Sequence, residues 1–257
     1  MKTSRISLPS GITLASTRTG DAPIQAVFVH GWTCRRSDWD PTLEALSEDF
    51  TLASIDLPGH GDSADQAAPQ WRITDLGEVL ADAVTALTDA PVTLVGHSMG
   101  GAVALEAARK LDQLNGVVLV DTFVIPYGDL SEDQARETEA PFIEDFPAAI
   151  DGLVENFTAT GLDPAIKQRM KSEMQSANPA WMLPLWADLL RWNPEPAFAD
   201  INVPIHAING DMIPEPARAR CEGRVTEWRL DGAGHFPQAE MPERFQQTLA
   251  EVLNKLA

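Results

Sequence analysis

Short apolar segments that alternate with stretches of helical periodicity constrain the fold of this chain most strongly. The strand-length segments are residues 26–29, 52–55, 92–95, 116–120, 205–208 and 226–230, and residues 5–8 and 12–16 are spaced as an opening hairpin. Helical spacing of apolar residues marks residues 39–46, 74–87, 99–111 and 242–256. Most of the strand segments are almost wholly apolar, as parallel strands covered on both faces are. The alternation predicts an α/β fold with a mostly parallel central sheet flanked by helices.

The alternation stops between residues 122 and 200, after the sixth predicted strand. This segment has no strand signal, its helical pieces are interrupted by prolines, and it carries Trp181, Trp186 and Trp192. A long excursion between two sheet strands is usually a functional insertion, often a lid over an active site. We therefore predict a helical cap over residues 122–200, inserted into a core made of residues 1–121 and 201–257.

Charge balance and cysteine usage narrow the class of protein. Because 19 Lys and Arg face 38 Asp and Glu, the formal charge is −19, which disfavours binding to nucleic acid and to anionic membranes. No apolar run approaches the ~20 residues that span a bilayer, and no signal-like apolar segment follows the N-terminus, so we expect a cytoplasmic protein. Cys34 and Cys221 form neither a disulfide framework nor a zinc motif. We expect no metal, no organic cofactor and a monomer or homodimer.

A serine lies at the turn between a predicted strand and a predicted helix. Residues 92–95 run into Gly96-His97-Ser98-Met99-Gly100, a G-x-S-x-G sequence, and a helix rich in small residues follows. Strand, turn and helix in this order form a nucleophile elbow, whose tight turn exposes the hydroxyl at the carboxyl end of a central strand. The free N–H groups of the helix start favour developing negative charge there. Ser98 is therefore the predicted nucleophile.

Two other loops supply the predicted general base and the oxyanion hole. His235 follows the last predicted strand in a glycine-rich loop, and a neutral imidazole can take the serine proton near pH 7. An oxyanion hole needs two backbone N–H donors. Met99, directly after the nucleophile, and Trp32, in the loop after residues 26–29, are the predicted donors.

Four motifs together resemble the α/β-hydrolase superfamily. They are His30-Gly31-Trp32, the turn from Asp56 to Ser63, Gly96-His97-Ser98-Met99-Gly100 and Gly232-Ala233-Gly234-His235. The resemblance covers nearly the whole chain apart from the predicted cap. It implies the α/β-hydrolase fold and a Ser-His-Asp triad, whereas it leaves the substrate open because this fold hosts many chemistries.

The resemblance leaves two candidates for the triad acid, which must orient the histidine. Asp211 follows residues 205–208, where the family usually has its acid, although the family pattern sets that acid two or three residues after the glycine rather than one. Asp121 ends the strand at residues 116–120, a position that some members use. We favour Asp211 on its loop context and keep Asp121 as the alternative acid.

The predicted reaction is hydrolysis of a small apolar carboxylic ester, thioester or lactone through an acyl-enzyme. We place His30, Gly31, Trp181 and Trp186 at the substrate site, since cap aromatics suit an apolar pocket. Acyl transfer, carbon–carbon bond hydrolysis and cofactor-free oxygenation on the same machinery are the alternative reactions. A non-catalytic ligand receptor is the alternative from a different class.

Overall fold

The chain folds around one mixed β-sheet of eight strands. The computed structural model describes residues 1–66 and 70–257. The strands of the sheet are β1 (Lys2–Ser7), β2 (Thr13–Arg18), β3 (Ala26–Val29), β4 (Leu52–Ile55), β5 (Val92–His97), β6 (Leu114–Val120), β7 (Ile205–Asn209) and β8 (Thr226–Arg229). Their order across the sheet is β1-β2-β4-β3-β5-β6-β7-β8. The first two strands run antiparallel, and β3 to β8 pair in parallel. The predicted strands are confirmed with small shifts at their ends.

Helices cover both faces of the sheet, and two apolar clusters lie between the helices and the sheet. The helices of the core are α1 (Asp40–Leu46), α2 (Ile73–Leu87), α3 (Met99–Ala108), α9 (Glu215–Cys221), α10 (Pro237–Glu240) and α11 (Pro242–Leu256). The sequence prediction missed the short helices α9 and α10. On one face α11 buries Phe245, Leu249 and Val252 at helical spacing against α1. On the other face α2 and α3 cross closely because Gly77 faces Glu106, where a Cβ would collide.

Five helices fill the interval between β6 and β7. They are α4 (Glu132–Glu144), α5 (Phe146–Phe157), α6 (Pro164–Gln175), α7 (Pro179–Arg191) and α8 (Glu195–Asp200). Several of the prolines that interrupt this segment start helices rather than break them. Asp163 and Asn178 cap α6 and α7 by accepting a backbone N–H, and proline follows each cap in the first turn. We call residues 122–200 the helical insertion.

The helical insertion is hydrogen-bonded to the rest of the chain along α7. The Trp32 indole N–H donates to the carbonyl oxygen of Met182 at 3.0 Å, and the Ile73 N–H donates to Asp188 at 2.8 Å. Just beyond α7, the Trp192 indole donates to the buried Glu106 carboxylate at 2.8 Å. These bonds tie α7 and the residue after it to the loop after β3, to α2 and to α3. Among the helices of residues 1–66 and 70–257, none has the length and apolar character that crossing a membrane requires.

Candidate active site

Ser98 stands at the junction of the central strand β5 and the helix α3. Its φ of 52° and ψ of −121° lie outside the ordinary helical and extended regions. An L-residue adopts such a backbone at a cost, and residues held this way cluster at functional sites. The turn therefore holds the Ser98 side chain at the carboxyl edge of the sheet, as the strand-turn-helix sequence predicts.

Glycines allow this turn because neighbouring backbone lies against them. A Cβ on Gly100 would lie 2.5 Å from the carbonyl oxygens of both Val29 and His30, so α3 starts in direct contact with the end of β3. A Cβ on Gly96 would collide with the backbone of Gly100. Larger residues at either position would push the first turn of α3 away from the sheet.

His235 connects Ser98 to a buried aspartate. Its Nε2 lies 3.0 Å from Ser98 Oγ, and its Nδ1 lies 2.7 Å from Asp121 Oδ2. Because an ionised carboxylate can only accept hydrogen bonds, Nδ1 carries the proton and Nε2 is free to accept the Ser98 hydroxyl proton. The His235 side chain is 8% exposed and that of Asp121 is 0% exposed, so both bonds lie out of bulk water. This arrangement can raise the nucleophilicity of the Ser98 hydroxyl.

The geometry reverses the preference between the two candidate acids. Asp121 adopts a left-handed backbone with φ 46°, and its second oxygen accepts the Gly210 N–H at 2.9 Å. Asp211 is half-exposed, accepts the Gly232 N–H at 2.8 Å and pairs with Arg229. The expectation that Asp211 contacts His235 is wrong, because Asp121 occupies the Nδ1 side of the ring.

A glutamate that the sequence analysis missed holds the loop around His235. Glu240, at the end of α10, accepts the N–H groups of Gly234 at 2.6 Å, Phe236 at 2.9 Å and Ala159 at 2.9 Å. The His235 N–H itself donates to the Phe157 carbonyl at 2.7 Å. The only signal in the sequence is a carboxylate five residues after the histidine, which by itself does not distinguish Glu240 from an exposed helix residue.

The two predicted oxyanion donors lie beside Ser98. Met99 is the first residue of α3, where a helix has no internal partner for its N–H. Within the described residues the Trp32 N–H has no backbone acceptor. The loop that carries Trp32 lies close to the serine, since a Cβ on Gly31 would be 3.4 Å from Ser98 Cβ. Neither N–H group therefore has a backbone acceptor among the described residues.

Three histidines besides His235 lie buried under the site, and burial lowers the pKa of each below the ordinary value of 6.5. The pKa is about 4 for His30 and about 3 for both His60 and His97, with desolvation as the main cause. All three are therefore neutral near pH 7. The His97 Nε2–H donates to the His235 carbonyl at 2.8 Å, so this ring supports the His235 backbone.

His30 does not contact the candidate substrate space, in contrast to the sequence prediction. Its Nε2 accepts the Leu57 N–H at 3.0 Å, and its Nδ1–H donates to the Gly31 carbonyl at 2.8 Å. The ring is therefore turned beneath the loop, and it ties the end of β3 to the turn after β4.

We expect these buried histidines to make folding sensitive to mild acid. A folded-state pKa below 6.5 means that the unfolded chain binds more protons, so stability falls as pH drops from 6.5 towards 4. Each histidine would cost about 2 kcal/mol at pH 5. Asp38 opposes the trend in direction, because desolvation raises the pKa of its carboxyl group and protonation in the folded state then adds stability, but its side chain is exposed and the effect is small. Urea unfolding between pH 7.5 and 5 should show a falling free energy of unfolding, and a His60→Gln variant should flatten the slope. An unchanged or rising free energy would contradict this expectation.

A cavity of about 560 Å³ opens over Ser98 and His235. This volume is in the range of small-molecule sites. The Trp32 ring stacks on Trp186 at a centroid distance of 4.7 Å and meets Phe142 edge-on at 5.2 Å, so aromatic side chains form much of the wall. Gly31 and Trp186 line the cavity as predicted, whereas Trp181 does not. Residues 1–66 and 70–257 hold no cluster of three or more potential metal ligands.

The chain belongs to the alpha/beta hydrolase family, whose sequence model matches residues 26–248. A pimeloyl-(acyl-carrier protein) methyl ester esterase of Neisseria meningitidis is 36% identical over 122 residues, which are 47% of this chain and 36% of that protein. The Stenotrophomonas maltophilia enzyme of the same name is 32% identical over 145 residues, 55% of this chain and 52% of that protein. The match thus spans about half or less of the length of these relatives.

Solved structures resemble the chain over its whole length. A thermophilic esterase of Thermogutta terrifontis, solved with malate bound, superposes with a TM-score of 0.81 at 25% identity. The superposition covers 100% of this chain and 99% of that protein.

Proposed function

We propose that this chain is a serine hydrolase that cleaves a small apolar carboxylic ester, thioester or lactone through an acyl-enzyme. The observation that carries the proposal is the hydrogen-bonded series Ser98–His235–Asp121 at the floor of an apolar cavity. The esterase names of the relatives and of the Thermogutta terrifontis protein support the same reaction class.

In the proposed reaction Ser98 Oγ attacks the substrate carbonyl carbon while His235 Nε2 takes its proton. The resulting imidazolium is stabilised by Asp121, and it then protonates the leaving oxygen or sulfur. Water attacks the acyl-enzyme in the second half, with His235 again as the base, and Ser98 is released. In this mechanism Asp121 rather than Asp211 is the acid.

The N–H groups of Trp32 and Met99 are the proposed oxyanion donors. Negative charge develops on the carbonyl oxygen in each tetrahedral intermediate, and preorganised N–H groups stabilise it. Loss of one such donor typically costs about 100- to 1000-fold in rate. The position of Gly31 against Ser98 supports the assignment of the Trp32 N–H.

The helical insertion is the proposed cap domain of this enzyme. Its helices α4, α5 and α7 supply Phe142, Leu153 and Trp186 to the cavity wall, while Ser98 and His235 come from the core. A substrate would therefore bind between the two parts of the chain. The free thiols of Cys34 and Cys221 support the proposal of a reducing, cytoplasmic location.

Pre-steady-state kinetics with a p-nitrophenyl acyl ester test the proposed reaction. We expect a burst of p-nitrophenol close to one equivalent of enzyme, followed by steady turnover, because acylation precedes slower deacylation. A stoichiometric burst without turnover would favour a ligand receptor. Turnover that depends on an added alcohol or amine would favour an acyltransferase, and complete inertness would overturn the proposal.

Trp186 should control the acyl chain length that the enzyme accepts. Trp186→Ala removes an aromatic ring from the cavity wall, so kcat/KM should fall about 10-fold for butanoate esters. The ratio of kcat/KM for decanoate esters to kcat/KM for butanoate esters should rise. Trp181→Ala is the matched control, since this tryptophan lies on the same helix outside the cavity. A p-nitrophenyl ester series measures the profile. The same chain-length preference in both variants would contradict the proposed role of Trp186.

A further inference from the structure

The exposed end of the cavity is negatively charged. Glu144, the last residue of α4, and Asp145, the cap of α5, both line the cavity and are both exposed. Among the described residues of the lining there is no lysine or arginine. The charged side chains that line the cavity are therefore both carboxylates.

Four of the five basic side chains of the helical insertion pair with other carboxylates, whereas Arg169 makes no such pair among the described residues and does not line the cavity. Lys167 and Lys171 both bind Glu155, at 3.0 and 2.6 Å. Arg191 pairs with Glu132 and Glu139. These pairs leave the charge of Glu144 and Asp145 without a compensating cation in the cavity wall, in a chain whose formal charge is −19.

Building on the proposed function, we propose that this site takes uncharged or cationic esters and discriminates against esters that carry a carboxylate. An apolar wall solvates neither sign of charge, so burial alone would disfavour an anion and a cation alike. The two carboxylates add an interaction whose sign depends on the charge of the substrate, because they attract a cation and repel an anion. At a separation of about 8 Å in a water-like medium, each carboxylate changes the binding of a unit charge about twofold.

Three methyl esters of matched chain length test this selectivity. They are methyl hexanoate, monomethyl adipate and methyl 5-(trimethylammonio)pentanoate, with methanol release as the readout. We expect kcat/KM to be at least fivefold lower for the adipate than for the trimethylammonio ester at low ionic strength, and the ratio to shrink in 0.5 M salt. Equal or faster cleavage of the adipate would overturn the inference while leaving the proposed function intact. Failure to cleave any of the three, together with no burst, would overturn both.

A double variant distinguishes the effect of Glu144 and Asp145 on substrate selectivity from the effect of the protein's net charge. Glu144→Gln with Asp145→Asn keeps the size of both side chains, and asparagine can still accept the Ala148 N–H that Asp145 accepts at 3.1 Å. We expect the ratio of kcat/KM for the adipate to that for the trimethylammonio ester to rise about 16-fold, since each of the two carboxylates acts about twofold on each of two oppositely charged substrates. The rate with methyl hexanoate serves as the reference to which the rates of both charged esters are normalised. Asp133→Asn with Glu137→Gln, on the part of α4 outside the cavity, is the control, and an equal effect in the control would overturn the assignment to Glu144 and Asp145.

A second inference comes from Glu240, whose carboxylate receives three backbone N–H groups. Two of them, from Gly234 and Phe236, flank His235, and the third belongs to Ala159, just after the end of α5. The carboxylate is half-buried, and it joins the histidine loop to the helical insertion. Nothing in the proposed chemistry uses Glu240 directly.

The geometry points to Glu240 as a positioning residue for His235. A carboxylate accepts all three N–H groups, whereas a glutamine amide would direct its own N–H₂ at one or two of the donors and leave them unpaired. The His235 ring would then shift relative to Ser98, and the 3.0 Å hydrogen bond between His235 Nε2 and Ser98 Oγ would be weakened. Displacement of a reacting group by about 1 Å can cost about 100-fold in rate.

Glu240→Gln should lower kcat 10- to 100-fold and leave KM within about twofold. Glu240→Asp keeps the charge on a shorter side chain, and its kcat should lie between the values of the wild type and of Glu240→Gln. Glu243→Gln, an exposed change in the first turn of α11, is the matched control. Titration of active sites with a fluorophosphonate counts the competent molecules. An unchanged kcat per active site in Glu240→Gln would overturn the positioning role, even if fewer molecules fold.

Discussion

Ser98→Ala is expected to lower ester turnover by about 10⁴-fold or more while the protein stays folded. The substitution removes the atom that attacks the carbonyl, so no acyl-enzyme can form. It also removes the 3.0 Å hydrogen bond to His235, which contributes only modestly to the free energy of unfolding. The Ser98 backbone already adopts φ 52°, and alanine meets the same strain there, so the melting temperature should change by only a few degrees.

Steady-state hydrolysis of a p-nitrophenyl ester and a thermal melt measure both parts of this expectation. Ser10→Ala, in the exposed turn between β1 and β2, is a control that should leave both values unchanged. Retained turnover in Ser98→Ala would refute the proposed nucleophile. A collapse of the melting temperature would instead show that the elbow needs the hydroxyl for its structure.

Asp121→Asn is expected to lower kcat by about 10⁴-fold, whereas Asp211→Asn should change it less than about threefold. Asparagine can present its N–H₂ to His235 Nδ1 and thus favour the tautomer in which Nε2 carries the proton. That tautomer donates to Ser98 Oγ and cannot accept its proton. Asp211 contacts the Gly232 N–H and Arg229, so its replacement leaves the His235 ring in place.

Parallel kinetics on the two asparagine variants decide between the aspartates. The Asp121→Asn variant should keep KM close to the wild-type value, because the substituted group lies behind the histidine and does not line the cavity. A larger loss of kcat in Asp211→Asn than in Asp121→Asn would contradict the assignment and would imply a movement of the loop after β7.

The sequence could place Ser98 and His235 at one candidate site because the patterns around both residues are local. A buried strand, a G-x-S-x-G turn and a small-residue helix are contiguous, and the glycines are required by contacts such as that of Gly100 with the end of β3. The glycine-rich loop around His235 is also contiguous, directly after β8. Such patterns carry their structural meaning without knowledge of distant packing.

The aspartate that is hydrogen-bonded to His235 could not be predicted because two aspartates follow neighbouring strands. Val120 pairs with Ile208 across β6 and β7, so Asp121 and Asp211 emerge at the same edge of the sheet. The choice depends on the left-handed backbone of Asp121 and on the Gly210 N–H, which holds its second oxygen. Neither feature has a signature in a single sequence.

For a related reason, the sequence could not show which of two tryptophans in the helical insertion lines the cavity. Trp181 and Trp186 both lie on α7, five residues apart, which places them about 140° apart around a helix. Only one of them can face the cavity, and which one depends on how α7 docks on the core. The bonds of Trp32 with Met182 and of Ile73 with Asp188 set that docking, and both connect positions more than one hundred residues apart.

Mass spectrometry after treatment with a fluorophosphonate tests the central claim most directly. The reagent reacts with a serine only where a neighbouring base activates the hydroxyl and an oxyanion site stabilises the adduct. We predict one adduct per chain, located in the peptide that contains Ser98, absent in Ser98→Ala and slow to form in Asp121→Asn. An unlabelled chain that still cleaves esters, or an adduct on a different residue, would contradict the proposed role of Ser98 and His235.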